Sequence, residues 1–366
     1  MPAPLHAGLL LRVGDVQQAQ QVVEQALHAG QAKQYPELYL YQTMAMQGEP
    51  WVQLGRLNAF LQLNGVPALS LKVQDQPPSP TNVALEQTLP FVQGPLVSVL
   101  MTTFRTGKRA VAAIESLLNQ TYRNLEIIVV DDASGDSTGD LVEALARRDA
   151  RVRLLRLPVN GGTYLAKSMG LQLARGAFVT CHDSDDWSHP VKIERQVLPL
   201  LKDSTLVATT SHLMRIQDDG IFYARSVQPL MRFNPSSPLF RREMVIDRMG
   251  GWDLVRTGAD SEFYARLRLV FGSRAIKRVA QPLALGSHRK GSLMTANDTG
   301  YSDSGISPQR VAYLESWTQW HLDCLLKGIL PQLSQDLELL AEQRCFTAPQ
   351  EIVLTTAQVR EATQAL

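Results

Sequence analysis

Residues 95–132 read PLVSVLMTTFRTGKRAVAAIESLLNQTYRNLEIIVVDD. Residues 96–103 are an apolar run of strand length. Ala110, Val111, Ile114, Leu117 and Leu118 then recur at helical spacing, and residues 125–130 form a second apolar run. The text predicts strand, helix, strand. It continues with a helix near 136–148, a strand at 152–157, a helix near 163–174 and a strand at 177–182. Such alternation predicts an α/β fold, a doubly wound, mostly parallel sheet with helices on both faces. Beyond residue 182 the rhythm changes to a helix near 190–202, strands near 205–215 and 221–226, and a helix near 260–271. Residues 308–366 read as mainly helical, with Pro331 and Pro349 as breaks.

Upstream, residues 5–65 are rich in Ala, Leu and Gln with helical periodicity. Leu11-x-x-Gly14 followed by Ala19 and Ala26 is similar to a tetratricopeptide helix pair. Gly14 recurs as Gly48, 34 residues on, with Leu10 and Leu11 answered by Met44 and Ala45 but Ala19 by Gln53. A plain helical hairpin whose turn glycines share that spacing accounts for the same text. Residues 74–94 are Pro-rich and polar and read as a linker. The expected division is a helical domain over 1–73, a linker over 74–94, the α/β domain over 95–305 and a C-terminal helical extension over 306–366.

Lys plus Arg number 36 against 35 Asp plus Glu, and the net charge of +1 gives no electrostatic footprint for nucleic acid. Cys181, Cys324 and Cys345 have no metal-ligand spacing and predict reduced thiols rather than disulfides. The N-terminal text lacks the pattern of a signal peptide, and no stretch approaches the roughly 20 apolar residues of a membrane helix. The expectation is a cytoplasmic protein whose membrane contact, where it exists, is peripheral at the inner face.

Open parallel sheets bind ligands beyond the carboxyl ends of their strands. Those ends read Thr102-Thr103-Phe104-Arg105, Asp131-Asp132-Ala133-Ser134 and His182-Asp183-Ser184-Asp185-Asp186-Trp187. Three carboxylates within four residues repel unless a cation compensates them, and hard oxygen ligands suit Mg²⁺ or Mn²⁺ bridging a diphosphate. A solvated acidic loop is the other reading. Dinucleotide binding lacks its fingerprint, because TTFRTG holds a single Gly107 where G-x-G-x-x-G is needed. Asp260 precedes an apolar stripe of Phe263, Leu267, Val270 and Phe271, so on its own text it reads as a helix N-cap.

Four ordered segments, PLVSVLMTTFR, SLLNQTYRNLEIIVVDDASGDST, HDSDDWSHP and Gly258-Ala259-Asp260-Ser261-Glu262, together resemble a family 2 glycosyltransferase of the nucleotide-sugar-binding A-type fold. The resemblance covers residues 95 to about 295. It implies transfer, with inversion, of a hexosyl or N-acetylhexosaminyl unit from a UDP-sugar donor to a hydroxyl on a glycan, lipid-linked or protein acceptor, with Mn²⁺ or Mg²⁺ as cofactor. It places Thr102, Thr103, Arg105, Asp132, Lys167 and Asp183 on the donor, Asp132 reading the uracil. Asp185, Asp186 and His288 go to the metal, Asp260 becomes the general base, and Trp187 and Glu262 fall on the acceptor side. There are two departures: Arg105 stands where the family often has Asn, and Ala259 where Glu usually precedes the catalytic Asp. His288, beside Arg289 and Lys290, also reads as a surface residue. A rival reading has the N-terminal helices recruiting a protein partner, fused to a degenerate sugar-nucleotide domain. A sugar nucleotidyltransferase lacks its Gly-rich, basic triphosphate loop here, and a processive membrane synthase lacks its Q-x-x-R-W signature.

Overall fold

The computed structural model describes residues 1–289, 292, 300–302 and 305–366; Lys290, read beside His288, lies outside them. The chain opens with α1 (Ala3–Arg12), α2 (Val16–His28), α3 (Leu38–Met46) and α4 (Pro50–Leu63). Asp15 starts α2 by accepting a hydrogen bond from Gln18 N at 3.1 Å, and Ala19, Val23 and Ala26 supply its buried face. Gly14 and Gly48 take φ of 85° and 119° in the turns after α1 and α3, a conformation that strains residues with a side chain. Both readings of the 34-residue spacing accommodate those turns.

A hairpin follows, β1 (Leu69–Leu71) antiparallel to β2 (Val83–Leu85). The Asn82 amide donates to the carbonyls of Val73, Gln76 and Pro77 and its oxygen accepts from Val73 N, which orders the Pro-rich turn. The separate domain expected over 1–73 and the linker expected over 74–94 are therefore corrected. Leu40, Tyr41, Leu57 and Phe60 share one buried cluster with Trp187, Met214, Phe222 and Leu285 of the second half. Proline-rich text reads as a linker because the backbone bonds of a single asparagine leave no periodic trace in it.

The main sheet starts with β3 (Val97–Thr103), β4 (Leu125–Asp131), β5 (Val152–Arg156) and β6 (Phe178–Asp183), all parallel. Between them run α5 (Lys108–Leu118), α6 (Thr138–Ala146) and α7 (Thr163–Gln172). Then come β7 (Trp187–Ser188), α8 (Lys192–Lys202), β8 (Ala208–Ile216), β9 (Phe222–Tyr223), β10 (Met231–Phe233) and β11 (Leu239–Arg241). Helices α9 (Arg242–Met249) and α10 (Ala259–Phe271) precede the last long strand, β12 (Ile276–Ser287). The strand order is β5-β4-β3-β6-β11-β8-β12-β7, with β9 and β10 paired to β8. Because the order reverses between β3 and β6, a crevice opens beyond their carboxyl ends. Alternation along β3 serves two cores: Val97, Val99 and Met101 meet Ala110, Ile114 and Leu117 of α5, while Leu100 meets Leu165 and Met169 of α7. This is the expected α/β fold, with helices before and after it.

Three helices close the chain, α11 (Pro308–Leu326), α12 (Leu337–Glu342) and α13 (Thr356–Thr363). They are not an appendage, as the expected extension over 306–366 would be. Tyr313, Trp317, Leu337 and Ile352 lie in one cluster with Leu165 and Phe263. Residues 352–354 also run antiparallel to 254–256: Arg256 N donates to Ile352 O at 2.7 Å, Leu354 N to Leu254 O at 3.2 Å, and Val255 bridges Val353. None of the described helices is long and apolar enough to cross a membrane.

Candidate active site

Parallel register sets Thr102 of β3 opposite Asp183 of β6, and Thr103 opposite Asp131 of β4. The side chains expected at the donor thus arrive at one edge of the sheet. Thr102 Oγ1 lies 2.8 Å from Thr163 Oγ1 at the start of α7, and the buried Thr103 Oγ1 lies 2.6 Å from Thr106 Oγ1. Arg105 has a φ of 53°, unusual for a residue with a side chain. Its backbone N donates to Ser134 Oγ at 2.9 Å and its Nε to Ser134 O at 3.0 Å, joining the loops after β3 and β4.

Asp132 is buried and holds the turn before α7. Its Oδ1 accepts from Gly161 N at 2.7 Å, and its Oδ2 from Gly162 N at 2.8 Å and Asn160 Nδ2 at 2.9 Å. Burial pushes its carboxyl up, opposed by those backbone N–H groups and by Arg256. A carboxylate offers about four acceptor positions, so one remains beyond the three in use. Arg256 itself donates to Asn160 Oδ1 at 2.8 Å and Asn160 O at 3.2 Å.

Beyond β6, Lys167 Nζ lies 3.8 Å from Asp183 Oδ1, and Ser236 Oγ donates to Asp183 Oδ2 at 3.0 Å. Lys167, Cys181, Ser236, Trp252, Asp260 and Phe263 line one small pocket. Burial disfavours the Lys167 ammonium, but Asp183, with Cys181 and Asp260, outweighs it and holds its pKa above the usual range. Burial likewise disfavours the Asp183 carboxylate, which Lys167 and His182 hold low. Cys181 is pushed up to about 11 by burial and stays a neutral thiol. Tyr164 is hydrogen-bonded to Asp260, and its phenol is pushed up by burial and then by that carboxylate's charge. Gly258, at φ 92°, occupies the N-cap of α10, so Asp260 is not the cap residue; its Oδ1 accepts from Ser261 N at 2.9 Å one position inside the helix.

On the acidic loop, Asp185 Oδ2 pairs with Arg289 Nε at 2.9 Å, and the buried Asp186 Oδ1 accepts from Ser287 N at 2.9 Å. Burial and then the charges of Asp185 and Asp183 push the Asp186 carboxyl well above the usual range. Mutual repulsion among hard oxygen donors suits a divalent cation, and Asp185 with Asp186 are the residues that would hold one. His288, expected as a third ligand, stands against Tyr223. Its ring stacks on Tyr223 with centroids 3.6 Å apart and planes at 7°. Among the described residues no three His, Cys, Asp or Glu side chains converge as a metal shell.

The two acceptor-side expectations are corrected as well. Trp187 is buried in the core shared with the N-terminal helices, because β7 pairs with β12 and sets Trp187 opposite Leu285. Glu262 is fully buried: its Oε1 accepts from Arg266 Nε at 2.7 Å and His321 Nε2 at 3.0 Å, and its Oε2 from Arg266 Nη2 at 2.9 Å. Residues two apart on a helix do not share a face, so when Asp260 borders the pocket Glu262 turns inward. The sequence reading missed Tyr164, Ser236 and Arg256. Arg256 stands two residues before the segment that begins at Gly258, and Tyr164 three before Lys167, so both lay next to text already singled out. Ser236, in NPSSP, carries no pattern.

Residues 98–262 match the family model described as glycosyl transferase family 2. Glycosyltransferase GlyG of Streptococcus pneumoniae is 38% identical over 128 residues, 35% of this chain and 42% of that protein. Chondroitin synthase of Pasteurella multocida is 31% identical over 130 residues, 36% of this chain and 13% of that protein. The chain spans less than half the length of these curated relatives. Among solved structures, TarS of S. aureus in complex with UDP-GlcNAc aligns with a TM-score of 0.49 at 18% identity, over 67% of this chain and 70% of that one. The segment that carries the strand ends, the acidic loop and Asp260 is thus the part of the chain that matches glycosyl transferase family 2.

Proposed function

We propose that the chain transfers a hexosyl or N-acetylhexosaminyl unit from a UDP-sugar to a hydroxyl acceptor, with inversion, in the synthesis of a bacterial surface polysaccharide or glycoconjugate. The observation that carries this reading is the pocket in which Asp260 meets Lys167, with Asp183 bound to both Lys167 and Ser236 at its edge. A carboxylate and one ammonium lining the same pocket suit one in-line displacement. Asp260 accepts the proton of the acceptor hydroxyl as its oxygen attacks the anomeric carbon, and Lys167 offsets negative charge growing on the departing diphosphate. Asp132, with one acceptor position unfilled, takes an N–H of the base, while Asn160, Gly161 and Gly162 fix its orientation. Asp185 and Asp186 would hold Mn²⁺ or Mg²⁺, which when bound neutralises the nucleoside diphosphate. The relative named chondroitin synthase supports polysaccharide as the setting. Unpaired Cys181, Cys324 and Cys345 support a reducing compartment such as the cytoplasm.

The test is a panel of UDP-sugars with Mn²⁺ or Mg²⁺ and simple glycoside acceptors, following UDP release and the anomeric configuration of the product by NMR. Release of UDP with an inverted product is expected. A retained configuration, or no turnover of any donor by folded protein, would overturn the reading.

A further inference from the structure

Helix α11 shows two apolar faces, of which the fold uses one. Tyr313, Trp317, His321 and Cys324 point into the core. A second stripe of Val311, Leu314, Leu322 and Leu325, with Thr318 at its centre, follows the three-and-four spacing of one helix face and is exposed. It continues past the helix end. Gly328, at φ 69°, reverses the chain and Ile329 N donates to Cys324 O at 3.0 Å, so Ile329 and Leu330 extend the stripe beside Leu326, itself 86% exposed.

We propose that this stripe is the contact between two copies of the chain, with α11 crossing its counterpart antiparallel about a two-fold axis at Thr318. The spacing is palindromic: Leu314 and Leu322 stand four residues either side of Thr318, and Val311 and Leu325 seven. In an isologous contact residue i meets j and j meets i, so Leu314 faces the second copy's Leu322 and Val311 its Leu325. An unrelated partner would impose no such symmetry. The axis itself can be dry, because the Thr318 hydroxyl donates to Leu314 O at 2.7 Å and leaves no donor to satisfy. The seven apolar side chains expose on the order of 600 Å² together, more than most monomers leave uncovered. That is most of the roughly 800 Å² per partner of a specific interface. The proposal is independent of the reaction, since none of these side chains reaches the pocket around Asp260.

Light scattering after size exclusion on the full chain should give a dimer, and Leu322→Glu and Leu314→Glu should each give a monomer with an unchanged circular dichroism spectrum and a melting temperature that no longer depends on protein concentration. Charge at an exposed position leaves folding intact but places two carboxylates in the dry contact. In a Cys345→Ser background, Thr318→Cys should cross-link into a covalent dimer on mild oxidation, whereas Ser316→Cys, on the far side of the helix, should not. A wild-type chain that stays monomeric at every concentration overturns the proposal. So does a dimer that survives both Glu substitutions, or a monomer that floats with anionic phospholipid vesicles until Leu322 is changed.

Discussion

Asp260 and Glu262 stand two residues apart at the start of α10 and live in opposite surroundings. Asp260 borders the pocket with Lys167, whereas Glu262 is sealed between Arg266 and His321. Asp260→Asn should therefore lower turnover by about 10²–10⁴-fold, the usual worth of a general base, with donor affinity nearly unchanged in calorimetry. Near-normal turnover would remove Asp260 from the mechanism. Glu262→Gln should act on the fold instead, because it leaves the Arg266 guanidinium buried without its counter-charge, a change that typically costs about 3–5 kcal/mol. Denaturant titration reads that loss, and a variant as stable as the parent would contradict the buried pairing. On the acidic loop, Asp185→Asn should abolish the difference in donor affinity between Mn²⁺ and a chelator. If the parent protein binds UDP equally well in both conditions, the metal assignment fails.

Between β7 and α8, His189 is held as a neutral ring. Its Nε2 donates to Pro67 O at 3.0 Å while its Nδ1 accepts from Val191 N at 3.3 Å, and burial lowers its pKa to about 4. His182 at the end of β6 is lowered too, by burial first and Lys192 second. The unfolded chain takes up protons on both below about pH 6.5, but the folded chain resists until near pH 4. Stability is therefore full above that range and falls as pH drops through it. A melting temperature that stays flat between those limits would exclude these two rings as the cause. The same elements show what the sequence can reveal. β3, β4 and β6 were legible because strands buried on both faces are continuous apolar runs ending in polar text. β12 was not, since Lys277, Arg278, Gln281 and Pro282 interrupt its pattern, and the ladder takes the proline through register shifts on either side of it. At the site, the acids after each strand were visible, but the burial of Trp187 and Glu262 depends on partners far along the chain, β12 and α11, that no local pattern announces.

Across the whole molecule, both ends of the chain are built into the centre. Glu37 Oε1 accepts from Met231 N at 2.7 Å and Tyr41 Oη donates to Val227 O at 2.6 Å, so the first helices grip the segment beside β8. Deleting residues 1–73 uncovers Trp187, Met214, Phe222 and Leu285 together. The truncated chain should be insoluble or lose its cooperative melting, as expression trials and calorimetry would show. A soluble truncation with a sharp transition would restore the picture of a separable domain. At the other end, Ile352 O takes the backbone N–H of Arg256, whose guanidinium holds Asn160, whose amide holds Asp132. Three hydrogen bonds thus connect the tail with the residue proposed to read the base. Anyone shuffling pieces between relatives should therefore expect an exchange of the last fifteen residues, 352–366, to disturb the position of Asp132 when the new backbone no longer meets Arg256 N.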